Sequence, residues 1–250
     1  MSVTLAVVDG VAVLSLNRPE RHNAIDDDLH EELLTCWGAA VEDSEARVIL
    51  LRGEGPSFCS GRDTAQLGER SAGESDLSFV RRHQDSRIAQ LSCPKPVIAA
   101  VQGHALGGGL ELALAADIRI VASDVRMAFP EICYGLMTDT GGAPLATTLI
   151  GPARTKWMLM TGRAVGAQQA LEWGLADEVV PPDDLDSHAL ALATEIATKP
   201  PEALAVIKAT VDGMWQAQVH AGLRSELLGQ VALFAGADYQ ARRAARKGAS

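Results

Sequence analysis

The N-terminal half of the chain alternates short apolar runs with polar, turn-forming residues. VTLAVV (3–8) and VAVLSL (11–16) flank Asp9-Gly10, a pattern that predicts a β-hairpin rather than a signal peptide, since no basic segment precedes it. RVILLRG (47–53), PVIAAVQG (96–103) and DIRIVA (117–122) predict further strands, with helical periodicity between them at 26–43, 77–91 and 107–116. Strands alternating with helices in this way predict an α/β domain with a largely parallel sheet.

From Gly142 onward the pattern is helical almost throughout, at 142–150, 153–160, 167–173, 183–198, 200–214 and 217–235. Pro181-Pro182 before Asp183-Asp184, and Pro200-Pro201 before Glu202, mark helix starts. In the last segment Val219, Leu223, Leu227, Leu228 and Val231 form an apolar stripe. Packing on its own domain is the expectation for it, with a subunit interface as the alternative. No repeat or low-complexity linker divides the chain, so one core with a helical C-terminal part is expected.

Composition narrows the chemistry. Of the 250 residues 47% are hydrophobic but only 4% aromatic, so the core must be aliphatic and stacking surfaces for bases are scarce. A net charge of −10 disfavours nonspecific binding to nucleic acid or membranes, and an anionic ligand would need a local basic patch. No apolar run reaches membrane-spanning length. Cys36, Cys59, Cys93 and Cys133 lack metal-type spacing and are expected to be free thiols in a reducing compartment, with the cytoplasm as the default. No metal site is expected.

One segment resists a purely structural reading. HALGGGLELA (104–113) places three glycines against a helix-forming sequence, where each glycine costs about 1 kcal/mol relative to alanine. A dinucleotide fingerprint aligned on Gly107 and Gly109 fails at Leu112, and no phosphate-loop lysine motif occurs. An oxyanion hole fits better: a helix-start amide without a neighbouring side chain can meet a carbonyl oxygen that becomes an enolate. Glu111 follows one turn later, beside whatever that amide binds.

KPVIAAVQGHALGGGLELALAADIRIV (95–121) resembles the signature of the enoyl-CoA hydratase/isomerase (crotonase) superfamily. The resemblance continues in LNRPERHNAI (16–25), PSFCSGRDTAQL (56–67), FPEICYGL (129–136) and TGRAVGAQQALEWGLADEVVP (161–181). It implies a crotonase fold, a ClpP-like spiral of ββα units over 1–195, with a C-terminal helical trimerisation region over 196–250. It implies an oxyanion hole built from the amides of Arg62 and Gly108, with Glu111 and Glu131 as the proton-handling carboxylates. The expected reaction is syn hydration of a 2-enoyl-CoA.

Two features of the resemblance leave alternatives open. The chain reads LMTDTGGAP (136–144) where hydratases typically carry a glycine- and proline-rich loop. Asp139 coincides there with an aspartate of dienoyl-CoA isomerase relatives, although those usually carry aspartate at the position of Glu111. Double-bond isomerisation using Asp139 is therefore the alternative reaction, an Asx turn the alternative role for Asp139, and a non-catalytic acyl-CoA-binding relative the alternative class. For coenzyme A the resemblance implies Arg21, Ala24, Asp63 and Thr64. The Arg62 guanidinium is expected on coenzyme phosphates or on the surface with Asp63. The basic tail RRAARK (242–247) is expected to face solvent or a neighbouring subunit's nucleotide, and His104 to be structural. No cofactor is implied beyond coenzyme A as part of the substrate, and the partners implied are acyl-CoA and further copies of the chain, as a homotrimer or dimer of trimers.

Overall fold

A computed structural model describes residues 1–247. Strands β1 (Val3–Val8) and β2 (Val11–Leu16) form the expected hairpin, antiparallel from Val3↔Leu16 to Val8↔Val11. Asp9 and Gly10 both take positive φ (50° and 80°), which matches the twist of a two-residue hairpin turn. Helix α1 (Asp27–Glu42) follows, capped by the Asp26 carboxylate, which accepts from Leu29 N at 2.8 Å. Then come β3 (Val48–Gly53), α2 (Asp76–Leu91), β4 (Val97–Val101), β5 (His104–Leu106), α3 (Gly108–Leu114), β6 (Ile118–Ala122) and β7 (Arg126–Ala128).

The C-terminal part comprises α4 (Gly142–Thr161), β8 (Val165–Gly166), α5 (Ala167–Trp173), β9 (Glu178–Val180), α6 (Leu185–Ala197), α7 (Pro201–Asp212), α8 (Gln216–Phe234) and α9 (Ala237–Lys247). Gly151 (φ 74°) ahead of Pro152 kinks α4 where the sequence predicted a break between two helices. The main sheet runs β1-β2-β3-β4-β6-β9, parallel after the hairpin, and β5-β7-β8 form a smaller sheet. Four strands of two or three residues (β5, β7, β8, β9) were not expected, because runs this short carry no readable period.

Both faces of the main sheet are buried, and the period of two sorts its side chains. Ile49, Leu51, Val97, Ala99 and Val101 pack with Leu29, Trp37 and Leu110, toward α1 and α3. Val48, Leu50, Ile98 and Ala100 face Leu185, Ala189, Ala193 and Ala197 on α6, whose alanine stripe lets the helix lie close. The parallel strands therefore end on the side where the 56–63 turn, the glycine turn and the 129–140 segment meet.

Candidate active site

The glycines of 107–109 meet three different demands. Gly107 has φ 51°, and a Cβ there would lie 2.6 Å from Glu131 Oε1. At Gly109 a Cβ would lie 2.3 Å from the carbonyl oxygen of Cys59, so this glycine lets α3 dock on the neighbouring backbone. At Gly108 a Cβ would meet nothing nearer than Glu111 Oε2 at 3.9 Å. The protein's own atoms do not require glycine there, so the space it leaves belongs to the cavity.

Gly61, in the FCSGRD turn, has φ 85°, and its Cβ position is 3.3 Å from Gly108 N. Ile25 N donates to Gly61 O at 2.7 Å and Asp63 N to Ile25 O at 2.9 Å, a parallel bridge that leaves the Arg62 amide between them unused. Among the described residues neither the Arg62 nor the Gly108 N–H donates to a backbone acceptor. Gly108 opens α3, so its amide has no partner within the helix.

A cavity of about 580 Å³ is lined by Arg21, Ala24, Arg62, Asp63, Thr64, Gly108, Glu111, Glu131 and Asp139 among others, so all nine sequence-derived candidates share one space. Glu111 is 1% exposed and rigidly held. Thr140 N and Gly142 N donate to its Oε1 at 2.9 and 2.7 Å, and Thr140 Oγ1 donates to Oε2 at 2.7 Å. Glu131 differs sharply, since its Oε2 is buried without a hydrogen-bond partner. Burial, and then the Glu111 charge, hold its carboxyl well above the ordinary range. Two carboxyls at one cavity thus have opposed characters, one fixed by donors and one without a hydrogen-bond partner at Oε2, its proton held more tightly than in a free carboxyl.

Asp139 is half-buried, and its Oδ2 accepts from Gln230 Nε2 at 3.2 Å. No backbone amide among the described residues donates to its carboxyl, so the Asx-turn reading does not hold. Burial and the Glu111 charge push it up to about 7.

Other expectations need correction. The Arg62 guanidinium pairs with Asp27 at 2.8 Å, not with Asp63 and not on the surface, being only 17% exposed. Asp63 instead lies 3.6 Å from both Arg18 and Arg21, which makes it an organiser of the 18–24 loop. Arg21 is 53% exposed at the mouth and Thr64 is exposed, whereas the Ala24 carbonyl already accepts from Arg18 at 2.8 Å. The basic tail is divided: Arg242 is exposed, as expected, and also donates to Cys133 O at 3.2 Å, whereas Arg246 is half-buried and donates to Leu67 O at 3.1 Å. His104 stays outside the cavity, on Ser57 Oγ at 3.1 Å, consistent with a structural role. All four cysteines are free thiols.

Several groups were not singled out in the sequence. Glu226 on α8 is 1% exposed and accepts from Thr138 Oγ1, Gly141 N and Ala143 N at 2.7, 2.7 and 2.8 Å. With Glu111 it cradles the 138–143 turn, satisfying amides at the start of α4 that the helix itself cannot. Arg87 is buried on α2, donating to Thr140 O at 3.2 Å and to Gln90. His30 on α1 and His83 on α2 stack with centroids 4.4 Å apart, and both line the cavity. Helical spacing held a signal for these: 219, 223, 226, 230 and 234 form the buried stripe of α8. Among the described residues no group of three or more His, Cys, Asp or Glu is arranged to hold a metal ion, and no helix is long and apolar enough to cross a membrane.

The family model for enoyl-CoA hydratase/isomerase matches residues 7–248. A probable enoyl-CoA hydratase of Rhodobacter capsulatus is 38% identical over 234 residues, 93% of this chain and 86% of that protein. The 1,2-epoxyphenylacetyl-CoA isomerase of Escherichia coli is 38% identical over 211 residues, 82% of this chain and 80% of that protein. Among solved structures, an enoyl-CoA hydratase/isomerase from Xanthobacter autotrophicus superposes with TM-score 0.90 at 31% identity, covering 99% of this chain and 93% of that one. A probable enoyl-CoA hydratase from Mycobacterium smegmatis gives 0.85 at 33% identity, covering 93% and 94%. With the family model matching residues 7–248 and solved relatives superposing over nearly the whole chain, this protein belongs to the enoyl-CoA hydratase/isomerase family and has the crotonase fold.

Proposed function

We propose that the protein hydrates a 2-enoyl-CoA, adding water syn across the conjugated double bond. The observation that carries this reading is the pair of unused amides, Arg62 and Gly108, beside two carboxyls of opposed character. The thioester carbonyl accepts from both amides, and as water attacks the β-carbon the negative charge gathers on that oxygen. One oxyanion donor is typically worth about 2.7–4 kcal/mol of transition-state stabilisation. Glu111, fixed by Thr140 and Gly142, orients the water and takes its proton. Glu131, whose burial beside the Glu111 charge favours its protonated form, gives a proton to the α-carbon. The proton left on Glu111 then passes to Glu131, so the water is consumed and both carboxyls return to their starting states.

These steps use only amides and proton transfers, and the only coenzyme required is the CoA of the substrate. The coenzyme lies over Arg21, Ala24, Asp63 and Thr64 at the mouth, with half-exposed Arg21 supplying positive charge there in a chain of net charge −10. The working form is a cytoplasmic homotrimer or dimer of trimers, assembled through the helices beyond residue 195. Supporting this, Val206, Ile207, Val211 and Met214 around α7 are 66%, 61%, 54% and 78% exposed, a neighbourhood of large apolar side chains that an interface would cover.

Asp139 supports a second reading, double-bond isomerisation, because a third carboxyl pushed up to about 7 faces the same cavity. Loss of conjugated-enoyl absorbance on a short 2-enoyl-CoA, abolished by Glu111→Gln and Glu131→Gln, is the outcome that hydration requires. Turnover of a dienoyl-CoA without any hydration, lost in Asp139→Asn, would replace it with isomerisation. Tight acyl-CoA binding with no turnover of either would leave a binding protein.

A further inference from the structure

The 138–143 turn carries Asp139 as well as the donors that hold Glu111, and α8 grips this segment again one turn beyond Glu226. Gln230 is 3% exposed, lines the cavity and meets the segment with both ends of its amide. Its Oε1 accepts from Met137 N at 3.2 Å, and its Nε2 donates to Asp139 Oδ2 at 3.2 Å. The Met137 N–H can only donate, so the amide has one workable orientation: oxygen toward Met137, NH2 toward Asp139. A flip would set donor against donor at Met137 and acceptor against acceptor at Asp139.

Asp139 is held from its main chain too, since Gln84 on α2 donates from Nε2 to Asp139 O at 2.7 Å. The two carboxyl oxygens are therefore not equivalent. Oδ2 faces a donor, so a proton on Asp139 belongs on Oδ1. Oδ1 has no hydrogen-bond partner among the described residues, yet it is not one of their enclosed unpartnered atoms as Glu131 Oε2 is. It is the oxygen open to the cavity that Asp139 lines. The charges around this carboxyl pull both ways. Glu111 on α3 and Glu131 of the 129–136 segment oppose its ionisation, while Arg62 and Arg70, both on the chain before α2, favour it. Among the described side chains only Gln230 hydrogen-bonds the carboxyl itself.

We infer that Gln230 is a positioning residue, which fixes Asp139 so that Oδ1 alone exchanges a proton with the acyl group. The inference rests on the double-bond-shift reading and adds to it the group that keeps Asp139 a usable base beside two other carboxyls. On a 3-enoyl-CoA, Oδ1 takes a proton from the α-carbon while the electron pair spreads onto the thioester oxygen at the Arg62 and Gly108 amides. That proton returns at the γ-carbon and the double bond comes to lie between the α- and β-carbons. Asp139 ends as the carboxylate it began, and nothing else is consumed.

The test is a titration of the whole protein, joined to kinetics. The Asp139 carboxyl carbon is followed by nuclear magnetic resonance in carbon-13-labelled protein, its signal assigned by its loss in Asp139→Asn. Gln230→Met removes both amide contacts at nearly equal length, whereas Gln230→Glu keeps an acceptor for Met137 N and removes the fixed donor. Both should raise the Asp139 midpoint by about one pH unit or more, the scale of a hydrogen bond to a charged group. A midpoint unmoved in both would overturn the inference. So would one moved only in Gln230→Met, where Met137 N also loses its partner. In the kinetic arm, kcat/KM for consumption of hex-3-enoyl-CoA by Gln230→Met should fall about tenfold below the parent's midpoint and recover as pH rises. An equal fall at every pH would mark a purely structural role and count against the inference. If the parent consumes no 3-enoyl-CoA while the midpoint still moves, the double-bond shift and its proton exchange are discarded and the hold of Gln230 on Asp139 stands.

Discussion

At residue scale, the three adjacent glycines separate structure from chemistry. Gly109→Ala puts a methyl 2.3 Å from a backbone oxygen, so it should destabilise the protein by about 3 kcal/mol, the upper end for overpacking, in a denaturant titration. Gly108→Ala meets no protein atom within 3.9 Å and lies in a helix, so its stability should match or exceed the parent. Its kcat/KM on an enoyl-CoA should nevertheless fall at least tenfold, because the methyl stands beside the donor amide. Loss of stability without loss of specific activity in Gly108→Ala would reverse the assignment. The carboxyls give a second test at this scale. Asp139 and Glu226, pushed up to about 7 and about 8, bind protons more tightly folded than unfolded. Their contribution to stability is therefore fully present below the ordinary carboxylate range and is lost as pH climbs through it toward about 8. Asp139→Asn should flatten that decline in urea midpoints measured from about pH 5 to about pH 8; an unchanged slope would show that Asp139 titrates normally.

At the scale of elements, the site depends on α8 although no α8 carboxyl faces the substrate. Glu226 holds Thr138, Gly141 and Ala143 while Glu111 holds Thr140 and Gly142, so one short turn hangs between two helices. Glu226→Gln turns an amide group toward donors and should cost about 1–3 kcal/mol. It should also raise KM or lower kcat through a displaced Glu111, a change that a purely global destabilisation would not produce in the folded fraction. The sequence showed Glu111 and Glu131 because they sit in ordered motifs, and it showed β1 to β4 and β6 because their apolar runs are long enough to carry a pattern. It did not show Glu226, Arg87 or the His30–His83 pair. Each is a polar residue at a helical position that sequence alone assigns to solvent, and only the packing of α1, α2 and α8 on one another turns it inward. Their registers with Trp37, Phe79 and Leu223 were present in the chain, but a register names a face without naming what covers it. The side chain of Arg62 went astray for a related reason: the motif fixes its amide, whereas Asp27, distant in sequence, fixes its guanidinium.

At the scale of the whole molecule, α9 packs on its own chain through buried Tyr239 and the arginines at 242 and 246, and a group of exposed apolar residues lies elsewhere, around α7. The proposed homotrimer covers that patch. Light scattering of the purified protein should give a trimer or hexamer mass, and Ile207→Glu with Val211→Glu should reduce it; a monomer in the parent would discard the assembly without touching the site. The measurement that bears most directly on hydration is isotopic. With a short 2-enoyl-CoA in oxygen-18 water, mass spectrometry should find a 3-hydroxyacyl-CoA bearing one labelled oxygen at the β-carbon, formed by the parent and not by Glu111→Gln. A product of unchanged mass with its double bond moved, or no product from any enoyl-CoA while the thioester still binds, would contradict water addition at the Glu111–Glu131 site.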